Sequence, residues 1–548
     1  MSTSSLDKLP VELLHRILDH VDPETALLSF ASVCRYFRTI IHSYNQLKLD
    51  FRSMTKRAFH QVRHLIQPND VTSLTLSNDH RTAGQISLFL SLFDIHAFTR
   101  LRSVTLIQIN NTNLVVFIAH ISTCPLISLS IIKGEHDGSI TKIDTFSLLV
   151  SCPIRHLTLS QSTPFVDIKN ILIYFPCLQT LVLDGFLLTE NVQQPVDPIP
   201  GLSKLKSLVI HFHSSNHDTV ASLLLHTPSL THLKLSGFTI GYTSLCNGDW
   251  WIEFIRKQLP LLQSFQFYLN KRIRQQEVAC DIESIIMSFK TPFWIEKRWY
   301  VTCDYYQDTR ELHLYTIPIC KPMIVYKSPT KKISCSNYTN EIPHVMNDVR
   351  SLTVNWFPET AGIYDRVSYC CFDPHNFYSS VQNPLFDRVS KLTLFITKNF
   401  TNDSIDYLSS LVNLTNVDSV TLNLDLSEES LNGIQTSLSS FFDRARAIQS
   451  IQFQSTRSKQ LIQYLKIIRC RIPKQVRNVI IELRNENGID WILDQFENFS
   501  SITLQGQGDY VAFSNKITEK LKEKGRVFTC SVNIVYASFW LQNQPLNQ

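Results

Sequence analysis

The sequence predicts an α/β chain: a three-helix unit at the N-terminus, then a solenoid of parallel strands on an inner face backed by short outer helices. Two observations predict the solenoid. A strand-like alternation recurs at LISLSII (126–132), IRHLTLS (154–160), LQTLVLD (178–184), LKSLVIH (205–211) and LTHLKLS (230–236). Its central residues Leu129, Leu157, Leu181, Leu208 and Leu233 stand 28, 24, 27 and 25 residues apart, a period typical of repeat arrays. A third observation predicts the leading unit. Residues 9–41 carry apolar side chains at helical spacing, yet are too few for a large core of their own.

In the leading unit, Pro10 sits at a first helical position, where its missing amide donor is harmless. Leu13, Leu14, Ile17, Leu18 and Val21 follow on one broad apolar face, and Asp22-Pro23 ends that helix. A second helix is expected from about Glu24 with Leu27, Leu28 and Ala31, and a third from about Cys34 with Phe37, Ile40 and Ile41. Three short helices bury only part of this surface among themselves. Burying one Leu is worth roughly 1.5–3 kcal/mol, so the surplus needs a cover: the first repeat, for which the unit would be an end cap, or another protein.

Next come the repeats. Alternation sends side chains to the two faces of a strand. Between strands, 144–150, 168–174 and 219–225 fit one or two helical turns. Pro153, Pro176, Pro228 and Pro260 then stop the helix, because proline disfavours helix at the residue before it. The same frame is legible at 71–76 and 101–106 upstream, and at 310–314, 349–354, 389–394, 417–422, 448–453, 476–481 and 499–504 downstream. It breaks in the middle, where the anchors Phe265, Leu312 and Leu352 lie 47 and 40 residues apart. The expected organisation is therefore a helical domain at 1–50, a first run of repeats at 51–270, an irregular segment with longer, aromatic strands at 271–350, a second run at 351–538, and a frayed polar tail at 539–548.

Composition narrows the function. Of 548 residues, 44% are apolar and 18% charged, as in a folded chain. The net charge of +5 is small for this length and does not point to nucleic acid or an anionic membrane. No apolar run approaches the roughly 18 residues of a membrane span, and His15, Arg16, Asp19 and His20 interrupt what would be a signal peptide. The 13 cysteines show no framework and read as reduced, mostly buried thiols. The expected location is cytoplasmic, nuclear or both.

Catalytic, metal and cofactor motifs are not found. His211, His213 and His217 lack a carboxylate or thiol at ligand spacing. Cys370 and Cys371 are adjacent rather than a redox pair, and Gly506-x-Gly508 lacks the rest of a dinucleotide fingerprint. The basic clusters at 271–274 and at Lys331 and Lys332 read as solvated loops. With Trp294, Trp299 and Tyr300 nearby, they keep nucleic-acid contact open as an alternative.

Two resemblances complete the reading. The repeats, as LxxLxL strands each with a helix, resemble leucine-rich repeats of the irregular kind. The spacing of Leu9, Pro10, Glu12, Leu13, Ile17, Leu18, Leu27, Leu28, Val33, Cys34, Arg35, Phe37 and Ile41 resembles an F-box, with Phe37 where that family often has Trp. Together they resemble substrate receptors of SCF-type ubiquitin ligases. That resemblance implies an F-box docked on a Skp-type adaptor, through it a cullin and a RING subunit, and a solenoid holding an unknown protein substrate, with no chemistry performed by the chain. The adaptor-binding residues expected are Leu9, Pro10, Leu13, Leu14, Ile17, Leu18, Val33, Cys34 and Phe37, some of them internal to the unit. On the solenoid's inner strands, Arg155 or His156 with Thr158, and Thr231 or His232 with Lys234, are display positions without an assigned ligand. A non-degradative F-box scaffold is the other alternative.

Overall fold

The computed structural model describes residues 6–18, 21, 25–30, 33–43, 46–52, 54–132, 143–150, 152–160, 171–187, 204–215, 217–239, 244–273, 282–307, 310–320, 323–327, 332–338, 351–355, 386, 388–396, 400, 402–424, 431–455, 458–469, 472–482, 488–495, 499–505, 510–532 and 536–542. They form two compact units. The first comprises 1–162, 166–182 and 485–548; the second comprises 163–165 and 183–484.

The first unit opens with a helix at Val11–Leu18, a π-helical turn at Thr25–Phe30 where an α-helix is expected, and a helix at Arg35–Ser43. Strands β1 (Leu47–Asp50), β2 (Val71–Ser77), β3 (Ser103–Ile107), β4 (Ser128–Ile132), β5 (His156–Ser160) and β6 (Thr180–Leu187) follow in spatial order, and the boundary between the units falls inside β6. β1 to β5 pair in parallel, with Leu74, Val104, Leu129 and Leu157 in one column. All four are at most 1% exposed. The alternate column, Thr75, Thr105, Ser130 and Thr158, is half-buried and carries hydroxyl groups. Parallel strands need a crossover, supplied by helices at Lys56–Val62, Gln85–Leu92 and Asn111–Ile121 and by 3-10 turns at Ile143–Leu149.

β4, β5 and β6 are entered the same way. The amides of Ile127 and Ser128 both donate to the carbonyl of Arg102 (2.8 and 3.0 Å), those of Arg155 and His156 to Ile127, and those of Gln179 and Thr180 to Arg155. Two donors on one carbonyl set the register of each strand on the last. The cysteines beside the prolines tie the turns below: the Cys124 thiol donates to the Phe98 carbonyl and the Cys152 thiol to that of Ser122.

In the second unit, β7 (Ser207–Ser215), β8 (His232–Thr239) and β9 (Ser264–Arg272) continue in parallel, aligning Leu208, Leu233 and Phe265. The middle departs from the repeat frame. β10 (Tyr300–Tyr306), β11 (Glu311–Ile317) and β13 (Lys332–Ser336) are antiparallel, in the order β9-β11-β10-β13. The expected repeat strand at 310–314 is thus the middle of an antiparallel meander. Residues 292–296 form a short helix instead of an aromatic strand. Trp294 and Trp299 are buried against Phe265, Phe267 and Phe289. A second parallel set joins β12 (Met323–Lys327), β14 (Ser351–Asn355), β15 (Lys391–Ile396), β16 (Ser419–Leu424), β17 (Ser450–Gln454) and β18 (Asn478–Glu482). Leu352, Leu392, Val420, Ile451 and Val479 form its buried column. The two-donor entry recurs at Ser390, Asp418 and Gln449.

The chain then returns to the first unit with β19 (Ser501–Gln505), a helix at Tyr510–Glu523, β20 (Val527–Val532) and β21 (Tyr536–Gln542). β21 lies antiparallel between β19 and β20. The expected frayed tail from 539 is corrected here: Phe539, Trp540 and Leu541 are buried in β21. Residues 543–548 lie outside the described residues, as do Arg274, Lys331, Cys370, Cys371, Gly506 and Gly508.

Candidate adaptor-binding surface

The N-terminal unit is built on three points of burial. The helix Val11–Leu18 turns Leu14 and Leu18 inward, the π-helical turn contributes Leu27, and the helix Arg35–Ser43 contributes Phe37, Ile40 and Ile41. The two helices pack together, and the turn packs on both the second helix and the helix Lys56–Val62 behind it. Phe30 and Phe37 bring their ring centroids to 4.3 Å. The entry to the first helix is fixed by its backbone: the Leu9 amide donates to Leu6 (3.2 Å), and those of Leu13 and Leu14 both donate to Pro10 (3.0 and 3.2 Å).

This burial divides the expected site residues. Leu14, Leu18 and Phe37 are interior, so they hold the unit together and are closed to a partner. Pro10 and Cys34 are exposed, Leu13 is 43% exposed and Val33 66%, and Leu9 and Ile17 are half-buried. Leu6, Val11 and Tyr36 are also exposed and were missed by the sequence reading. Helical periodicity alone marks the apolar stripe; the interior half is fixed by the packing of the π-helical turn, which no local pattern announces. The exposed charges beside this surface are Lys8, Glu12, Arg16, Arg35 and Arg38, predominantly basic among the described side chains.

The remaining candidates fare differently. Arg155, His156 and His232 are exposed, and Thr158, Thr231 and Lys234 are half-buried. Lys271 is buried within β9, not solvated in a loop, while Arg272 is exposed. The His211 ring pairs with the Ser236 hydroxyl; the side chains of His213 and His217 lie outside the described residues. Among the described residues no group of three or more His, Cys, Asp or Glu is placed to hold a metal ion. No helix among them is long and apolar enough to cross a membrane.

A hydrogen-bonded polar set lines one face of the antiparallel strands. The Tyr315 hydroxyl donates to Asp304 (2.9 Å), as does that of Ser334 (2.6 Å), and Tyr268 meets the His313 ring at 2.5 Å. Burial, followed by the Asp304 carboxylate, pushes the Tyr315 hydroxyl well above its ordinary pKa. A tyrosine so held stays protonated and keeps donating to Asp304.

No curated protein matches the chain. The model of the F-box domain matches residues 6–49, the same stretch whose helices leave Leu13 and Val33 uncovered, and the chain therefore carries an F-box domain at its N-terminus.

Proposed function

We propose that this protein is the substrate-receptor subunit of an SCF-type cullin-RING ubiquitin ligase. Its F-box docks on a Skp-type adaptor, which brings the cullin and the RING subunit. Its strand–helix repeats, in this reading leucine-rich-repeat-like, hold a protein substrate. In this reading the chain carries out no step of the ubiquitin transfer; it supplies proximity, turning a bimolecular transfer into a nearly intramolecular one. The cytoplasm, the nucleus or both are the compartments in which it would act.

The observation that carries the reading is the apolar surface left open on the matched helices, with Leu13 43% and Val33 66% exposed. Apolar patches rimmed by polar groups mark protein-binding surfaces. Of the residues named for the nucleic-acid alternative, Lys271, Trp294 and Trp299 are buried, Arg272 is exposed, and Arg274 and Lys331 lie outside the described residues.

Capture of the full chain by an immobilised Skp-type adaptor tests the proposal. Replacing Leu9 and Pro10 together by Ala should cost on the order of 2 kcal/mol, more than tenfold in affinity, if they anchor the contact. Circular dichroism would verify that the double variant is folded. Undiminished capture by that folded variant would remove the surface from the adaptor interface.

A further inference from the structure

We propose that Cys303 and Cys335 are a thiol–disulfide pair, oxidised by a small disulfide such as oxidised glutathione, that staples the edge strand β13 to β10. The two residues are register partners across the antiparallel strands, so both side chains leave the sheet on the same face. On that face Cys303 is flanked by Val301 and by Leu314 of β11 and is fully buried, while Cys335 is half-exposed. Both carry thiols. The Asn337 amide donates to the Val301 carbonyl at 3.0 Å, which makes 301/337 a hydrogen-bonded pair and, two residues along, 303/335 another. Cα atoms in such a pair lie about 5.5 Å apart, within the roughly 4.4–6.8 Å that a disulfide spans. β13 is the last strand in its order. With a neighbour on one side only among the described strands, it is the strand that a covalent link would restrain most.

The exposure difference gives the two thiols distinct roles. Cys335, reachable from solvent, attacks as the thiolate on one sulfur of oxidised glutathione. A protein–glutathione S–S bond forms as glutathione's own S–S bond breaks, and one glutathione thiolate leaves and takes up a proton. Cys303 then gives up its proton and attacks the Cys335 sulfur, expelling the second glutathione. Two protein thiols and one glutathione disulfide become one protein disulfide and two glutathione thiols. Cys124 and Cys152 are an internal comparison. The Cys152 thiol lies 3.7 Å from the Cys124 carbonyl oxygen, but both cysteines are buried, and burial, followed by Cys152, raises the Cys124 thiol pKa. Access and ionisation are lacking there.

The test uses the full natural chain, incubated natively with oxidised glutathione, alkylated, and cut with trypsin without reduction. Cys303 and Cys335 fall in separate tryptic peptides, 299–310 and 333–350, each with a single cysteine. The linked pair of these peptides should be the first protein disulfide to appear in mass spectrometry. Cys303→Ala should trap glutathione on Cys335, and Cys335→Ser should leave peptide 299–310 unoxidised. The proposal is overturned if glutathione stays on Cys335 of the natural chain, if Cys124 and Cys152 link first, or if neither peptide reacts.

Discussion

Lys56 opens the helix that supports the F-box, and its side chain is buried with only 3% exposed. Burial lowers its pKa from 10.5 to about 8, with Cys530 working weakly in the other direction. The folded state therefore disfavours the protonated amine, and the unfolded chain holds that proton more tightly. Between pH 8 and 10.5 the unfolded state binds more protons, so the penalty is fully present at neutral pH and disappears as pH rises through that window. Lys56→Met keeps the apolar stem and removes the charge. At pH 7 the variant should be more stable by on the order of 1–2 kcal/mol, allowing for residual hydration of the amine. The gain should shrink towards zero near pH 10.5. Thermal melts at pH 7 and at pH 10 read it, and a gain equal at both would show that packing rather than charge is responsible. Asp79 has the opposite sense. Burial alone would raise its carboxyl, but Arg81, His80 and the Arg81 amide outweigh it and hold the pKa below the ordinary value.

Most of the parallel strands were legible in the sequence because alternation is local: two faces, a period of two, and a large apolar residue at the centre of each. Leu129 and Leu157, separated by one period, are indeed register partners. What the pattern does not carry is how each turn is tied. Between β2 and the helix Gln85–Leu92, the Gln85 side-chain amide donates to the Phe51 carbonyl (2.9 Å), and its oxygen accepts from the Ser77 amide (3.0 Å). The Asn78 side chain accepts from the Ile86 amide (2.9 Å), and the Thr82 hydroxyl donates to Ser77 (2.9 Å). Gln85 is fully buried. In a sequence it is one polar residue at the start of an apolar helix, with nothing to reveal a partner 34 residues upstream. The F-box surface was half legible for the same reason: the stripe from Leu9 to Leu18 is local, whereas the burial of Leu14 beneath it depends on the packed helices. Gln85→Leu fills the same space and leaves the buried Ser77 amide unpaired, while the Phe51 carbonyl keeps the Met54 amide (3.3 Å), a cost of about 1–3 kcal/mol. Urea unfolding should show a loss of about 1 kcal/mol or more. A variant within about 0.5 kcal/mol of the natural protein would mean that water reaches the Ser77 amide.

At the scale of the whole chain, the last strands share a core with the first repeats. The Thr529 hydroxyl donates to the Ala83 carbonyl (2.7 Å) across 446 residues of sequence, and that of Thr503 donates to His80 (3.3 Å). Gly84, at φ +77, passes so close that a Cβ would stand 3.2 Å from that of Thr529. Trp540 is buried, with its ring edge-on to Phe59 at 5.7 Å. In an open array each repeat touches only its neighbours, so damage at the last strand would leave the first helix untouched. Here the last aromatic residue lies on the helix Lys56–Val62, which also supports the F-box turn Thr25–Phe30. The polar end of the sequence hid this, because strand pairing over such a separation leaves no local period to read. Trp540→Ala should cost roughly 3–5 kcal/mol, with the loss felt at the opposite end of the sequence. Hydrogen exchange should quicken at 56–62 and in β2, while β15 to β17 of the second unit keep their protection. If the substitution loosened only 501–542 and left 56–62 as protected as before, the contact would hold no weight, and the F-box would rest on its own packing alone.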